Sequence, residues 1–336
     1  MKYLFPCALM ISVFCTAPLR DYPVPEISTT SDTLQVKKTV SDERVGSVVP
    51  VKIPIDQWVG MDVFVLEKPE VFRQHGYEFF FCRELDSCSE KSDSIVNHKN
   101  GRIRYEILSG QVLKVTDVES LGGEWLIAFE HNSIKEKIYG KTHKSAIKEI
   151  GFLIDLENAR QRWFGTTIFS KKGIISTVKE DGSGFSSLKV GHRDSLIVFD
   201  IRWGYTPLPV DPIWLMVETS QGHKGFIPVR FSWTNTTVDQ IRKSDPWNTL
   251  LMEEDPSEVY SWDENMWEII DNHRIVIEMT TEQVLMSWGE PLERTEKAYQ
   301  GVEMECWIYG SHELYFKENR MIAFLEINNS MIQKEL

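Results

Sequence analysis

Trp214-Leu215-Met216-Val217-Glu218-Thr219-Ser220-Gln221-Gly222-His223-Lys224-Gly225-Phe226-Ile227-Pro228 is the stretch that decides the fold class. An apolar run enters a polar turn that contains Gly, and a second apolar run leaves it. That pattern predicts two short strands joined by a tight connection. In this reading Gly225 lets the backbone turn close to the barrel wall, and Pro228 ends pairing at an edge. Runs of the same kind lie upstream, at Val63–Leu66, Tyr77–Cys82, Gln111–Val118 and Trp125–Glu130. Gly, Pro, Asp and Ser separate them, and Gly122-Gly123 is a hairpin turn signal. Helical period is sparse here, with one expected helix around Leu156–Arg160. The expected fold class is mainly β, built from small barrel-like units, with a C-terminal α+β module.

An internal echo divides the β region. Gln57-Trp58-Val59-Gly60-Met61-Asp62-Val63-Phe64 matches Arg162-Trp163-Phe164-Gly165-Thr166-Thr167-Ile168-Phe169, and each octet opens a strand-rich segment. Strand, Gly-containing turn, Gly, aromatic, aliphatic and Pro form the closing hairpin of small Src-homology-3-like barrels. Leu188–Val229 resembles a bacterial version of that barrel, and Val51–Tyr139 resembles it less fully. In that family aromatics around the hairpin loops line a peptide groove. The resemblance makes Trp203, Tyr205 and Trp233 the candidate ligand-binding residues, with Pro207-Leu208-Pro209 placed to cover the same face.

The C-terminal part has its own pattern. Ile275-Val276-Ile277 predicts a short strand or an extended entry to the helix. Thr280 and Gln283 have capping-box spacing, Val284-Leu285-Met286 is an apolar helical face, and Trp288-Gly289-Glu290-Pro291 is a helix stop. Strands are expected at Met304–Tyr309, Glu313–Phe316 and Met321–Leu325. This helix, stop and aromatic meander is similar to the α/β unit of the small outer-membrane barrel-assembly lipoprotein and of β-lactamase inhibitor proteins. A Gly-Met-Thr triplet usually precedes the helix in that family. Met279-Thr280 match it, and Glu278 replaces the Gly, which puts a tight turn there in question.

Met1-Lys2 followed by an apolar run from Tyr3 to Phe14 has the proportions of a signal peptide, too short to span a bilayer. Two cleavage readings stay open. Ser12-Val13-Phe14-Cys15 resembles a lipoprotein box that would lipidate Cys15, while Cys15-Thr16-Ala17 offers small residues for ordinary cleavage. The expected division is a signal peptide over 1–17, a flexible tether over 18–50 and a strand-rich module over 51–150. A Src-homology-3-like module over 151–236, a linker over 237–262 and an α/β module over 263–336 complete it. The protein is expected in the periplasm or at the outer membrane.

Thirty-seven Lys and Arg against 50 Asp and Glu give a net charge of −13. An acidic chain without a basic stripe excludes nucleic acid as an expected partner. Cys82 and Cys88 flank a short polar turn. An oxidising compartment would let them pair, with two free thiols as the alternative. No cysteine or histidine spacing predicts a metal, and no cofactor is expected. His192-Arg193-Asp194-Ser195 reads as a polar turn, since triad members normally come from separate elements. Cys306 reads as core filler, Asp181-Gly182-Ser183-Gly184 as a hairpin and Glu253-Glu254-Asp255 as a solvated loop. The expected function is a non-enzymatic envelope binding or scaffolding protein for a peptide, cell-wall component or partner protein. Membrane association would come by lipid only. The alternatives are an envelope hydrolase, or an inhibitor or assembly factor.

Overall fold

The computed structural model describes residues 53–81, 96–97, 102–143, 146–178, 185–205, 212–229, 234, 250–299 and 301–326. Strand accounts for 48% of these and helix for 19%, so the chain is mainly β. The described residues form two compact units. The first holds those up to Thr166 with Ser176–Leu188 and Ile197–Thr249, and the second holds Thr167–Ile175, Lys189–Leu196 and those from Leu250 on.

The first unit begins with β1 (Asp62–Val65), α1 (Glu70–Arg73), β2 (Phe79–Phe80) and the small hairpin β3 (Val96–Asn97) and β4 (Arg102–Ile103). It continues with α2 (Tyr105–Leu108), β5 (Val112–Leu121), β6 (Glu124–His131), β7 (Ile134–Thr142), β8 (Ile150–Phe152) and α3 (Leu153–Trp163). A six-stranded sheet runs in the order β2-β7-β6-β5-β1-β8. The expected turn at Gly122-Gly123 joins β5 to β6, with both glycines at positive φ, 57° and 93°. The sheet closes over Trp58, Val63, Val65, Phe79, Leu113, Val115, Phe129 and Phe152, all buried. Helix α3 turns Leu156, Ala159 and Trp163 inward at three- and four-residue spacing, which is why this stretch is helical within a β unit.

Next come β9 (Thr167–Ser170), β10 (Ile174–Val178), β11 (Phe185–Lys189), β12 (Leu196–Trp203), β13 (Ile213–Thr219) and β14 (Lys224–Val229). The first unit's second sheet has the order β11-β10-β14-β13-β12. The quoted stretch forms the β13–β14 hairpin, paired from Ile213↔Val229 to Glu218↔Lys224. Two details of its reading are corrected. The turn is carried by Gly222, at φ 81°, while Gly225 lies within β14 opposite Val217. Pro228 pairs opposite Trp214 and the ladder runs one residue past it, so it does not end the pairing.

The internal echo extends to backbone bonding. Gly60 N–H donates to Val115 O (2.7 Å), Met61 N–H to Trp58 O (3.0 Å) and Val115 N–H to Met61 O (2.9 Å). Gly165 donates to Val198 (2.8 Å), Thr166 to Trp163 (3.0 Å) and Val198 to Thr166 (2.9 Å). Both glycines have positive φ, 89° and 75°, which a side chain would strain. Trp58 and Trp163 are both buried beneath these turns.

In the second unit β9 pairs with β15 (Leu251–Met252). Helices α4 (Pro256–Val259), α5 (Glu264–Asp271) and α6 (Thr281–Trp288) precede a meander of β16 (Glu293–Tyr299), β17 (Val302–Tyr309), β18 (His312–Lys317) and β19 (Arg320–Glu326). Trp267, Ile270, Val284 and Met286 of the helices pack with Trp307, Leu314, Phe316 and Met321 of the sheet. The capping box forms in full between Thr280 and Gln283, and Gly289 ends α6. Asp255 caps α4 through Ser257 N–H at 2.8 Å. Of the two expected forms of Ile275–Ile277, the strand is not made. Met279 N–H bonds back to Val276 O, and the Met279 sulfur accepts from Val276 N–H, so the segment closes on itself. The tight turn does form, because Glu278 adopts φ 74°, the left-handed conformation that the missing Gly would supply.

Candidate functional site

Strand β12 ends at Trp203 and passes through Gly204 to Tyr205. Gly204 lies under the Trp214 indole, where an added Cβ would stand 2.3 Å from Nε1. The chain must run flat across that ring, and this sets the position of both candidate aromatics. Trp203 is half-buried and stacks on Phe64 of β1 at 5.6 Å and 8°. It also covers Gly151 of β8, where a Cβ would meet the ring at 2.3 Å. A large share of Trp203 is therefore packing between strands. Tyr205 is half-buried too. It bridges Glu67 and sets its ring edge-on to Trp214 at 5.2 Å. Burial pushes its hydroxyl above the ordinary range. The structure thus brings Trp203 and Tyr205 to one stretch of the first unit. Trp233, Cys15, Cys82, Cys88 and Pro207–Pro209 lie outside the described residues.

Beside Tyr205 lies a charged cluster that the sequence reading missed. Lys68 and Glu149, both buried, form an ion pair. Lys68 also donates to Gly76 O (2.7 Å) and stands 4.7 Å over the Tyr77 ring, while Glu149 accepts from Glu78 N–H. Desolvation pushes the Glu149 carboxyl up, against the pull of Lys68. Tyr77 is fully buried and donates to Leu66 O at 2.7 Å. Its ring stacks on Tyr105 at 5.7 Å, and Arg73 lies 5.0 Å over the Tyr105 ring. The pair is 81 residues apart in sequence, so no local pattern announces it.

A second cluster lies within the second unit. His192 is fully buried, and both its Nδ1 (2.6 Å) and its backbone N–H (3.0 Å) bond the same oxygen of Asp271. Nδ1 therefore carries the proton, and Nε2 is buried with no hydrogen-bond partner among the described residues. Burial pushes the Asp271 carboxyl up, but the His192 ring and backbone N–H outweigh it and hold Asp271 below the usual carboxylate range. Arg193 grips Glu264 through two bonds, 2.7 and 2.9 Å, and lies 5.1 Å over Trp267. These contacts fasten the 191–195 turn along one face of α5. Asp194 accepts only from Gly191 N–H within that turn, so His192, Asp194 and Ser195 make no triad. A His–Asp pair orients an imidazole as a base, and general-base chemistry then needs a hydroxyl or thiol at Nε2. None of the described residues supplies one.

Cys306 is buried among Tyr315 and Ala323 on the sheet face opposite the helices. Lys297 bonds Glu313, which accepts from Tyr315 OH at 2.7 Å. Burial, then the Glu313 carboxylate, push the Cys306 thiol up, so it is not a poised thiolate. Among the described residues no group of three metal-ligating side chains converges. No described helix is long and apolar enough to cross a membrane. No family model and no curated protein matches the chain.

Proposed function

We propose that this protein is a non-enzymatic binding or scaffolding protein of the bacterial cell envelope, recognising a peptide, cell-wall fragment or partner protein through its barrel-like modules. The observation that carries the reading is the set of half-buried rings Tyr105, at the start of α2, and Trp203 and Tyr205, at the end of β12, with the buried Lys68–Glu149 pair nearby. Tyr and Trp offer a large contact area at low entropic cost and a polar tip, which suits a recognition surface. The charged start and short apolar run support export, with lipidation at Cys15 or ordinary cleavage as the two routes. The similarity of the C-terminal unit to envelope lipoproteins supports the same compartment. The test is capture from envelope extract by the immobilised mature chain, with and without Tyr205→Ala. Loss of the captured partner at unchanged melting supports the reading, and an unchanged capture profile contradicts it.

A hydrolase is the second reading, favoured by one observation, the Asp271-oriented imidazole of His192, whose Nε2 has no hydrogen-bond partner among the described residues. If it holds, His192→Gln abolishes an ester- or amide-cleaving activity of the purified chain while leaving capture intact.

A further inference from the structure

We infer that the ligand of this aromatic face is an acidic peptide and that Arg73 reads one of its Asp or Glu side chains. The inference rests on the binding reading above and adds the chemistry of the ligand. Arg73 sits at the end of α1, half-buried. Its Nε donates to Lys68 O at 3.0 Å, which fixes one edge of the guanidinium. Its face lies on Tyr105, 5.0 Å from the ring centre, and Tyr105 is backed by the buried Tyr77. The two terminal amino groups have no carboxylate partner among the described residues. Other arginines of the chain do have one: Arg102 with Glu78, Arg193 with Glu264, Arg202 with Asp200 and Arg294 with Glu290. In a chain with thirteen more acids than bases, a guanidinium held in place and given no acid by the described residues is set for an external one. Its planar fork matches a carboxylate in two parallel hydrogen bonds.

The surroundings choose among anions. Lys68 is consumed by Glu149 and is not a second cation for a ligand. Glu67 stands next to Lys68 in the chain and bridges Tyr205. Burial and then the Glu67 carboxylate raise the Tyr205 hydroxyl while Arg73 lowers it, so both charges act at that ring. Among the described residues, Arg73 as the unpaired cation beside the Glu67 carboxylate accommodates a monoanion. A phosphate, with its charge near −2 and three acceptor oxygens, would face Glu67 without a second cation. Tyr105 and Tyr205 offer apolar flanks that strengthen a charged hydrogen bond by keeping water away.

The experiment uses the full mature chain and a peptide array of acetylated, amidated decamers. Glu is placed among Ala, Leu and Pro in varied order, and each decamer has two twins carrying Gln or phosphoserine in place of Glu. The wild-type chain is expected to bind a subset of the Glu decamers at least about tenfold more tightly than either twin. Arg73→Gln should abolish that preference with melting unchanged. Arg73→Lys, which keeps the charge and loses the fork, should retain only part of it. Hits that bind the Gln twins equally well and still need Tyr205 overturn the acidic ligand and leave the binding face standing. Tighter binding of the phosphoserine twins overturns the choice of carboxylate. No binding on any array overturns both the inference and a peptide-binding face.

Discussion

Replacing Glu149 by Ala should destabilise the first unit by about 3–5 kcal/mol, the usual effect of removing one partner from a buried ion pair. Three features of the structure put the cost in that range. Lys68 is 5% exposed, so water cannot solvate the ammonium that is left behind. Its remaining contacts, Gly76 O and the Tyr77 ring, hold no formal charge. Glu78 N–H also loses its acceptor. Urea unfolding read by tryptophan fluorescence is the assay. At about 3 kcal/mol per molar urea, the midpoint should fall by roughly 1–1.7 M. Glu149→Gln keeps an acceptor oxygen and should fall between wild type and Ala. The double variant Lys68→Met, Glu149→Leu should recover most of the loss, since apolar replacement of a buried pair is often neutral. A loss below about 1 kcal/mol for Glu149→Ala, or a double variant as unstable as the single one, would refute this reasoning.

Other consequences can be measured alongside. Asp271 has a depressed folded-state carboxyl, so its contribution is present above the unfolded value near 3.9 and is lost as pH falls through the folded value. Acid unfolding below about pH 4 should therefore be shallower in Asp271→Asn than in wild type. Glu278→Gly should raise stability by about 0.5–1 kcal/mol, because Gly relieves the left-handed strain at φ 74° and gives back part of the gain as backbone entropy. A loss on thermal or urea melting would show that the Glu278 side chain holds something the backbone argument omits. Trp307→Ala should cost about 3–5 kcal/mol. Trp288→Ala should cost clearly less, because Trp288 is half-buried and bonds only His273 O through its indole N–H. Equal losses on melting would contradict the burial difference.

What could be read from the sequence is what local chemistry decides. Thr280 and Gln283 are three apart, and that spacing alone writes the capping box. Trp58-Val59-Gly60 and Trp163-Phe164-Gly165 carry their turn in adjacent residues, and their backbone bonding repeats accordingly. Strand β16 escaped notice because Glu293-Arg294-Thr295-Glu296-Lys297-Ala298-Tyr299 has no apolar face. It is a strand because seven consecutive residues pair with β17, a tertiary cause. Ile275–Ile277 shows the opposite case, since its β-branched residues suggested a strand or an extended entry, and no described strand pairs with it. The site was legible only in its aromatics. Trp203 and Tyr205 lie two residues apart in the chain, but Glu67, Lys68, Arg73, Tyr105 and Glu149 come from four separate stretches, and only the folded unit gathers them. His192 and Asp271 show the same limit, since a turn reading of His192–Ser195 is right locally and silent about a partner 79 residues away.

The central claim, that the face around Tyr205 meets a partner, is tested most directly by photo-crosslinking in envelope extract. A benzophenone side chain is placed at position 205 in one sample and at the exposed position 277 of the second unit in another. Irradiation should give a discrete adduct from position 205 that excess unlabelled chain competes away, and none from position 277. No adduct from position 205, or the same adduct from both positions, would contradict it.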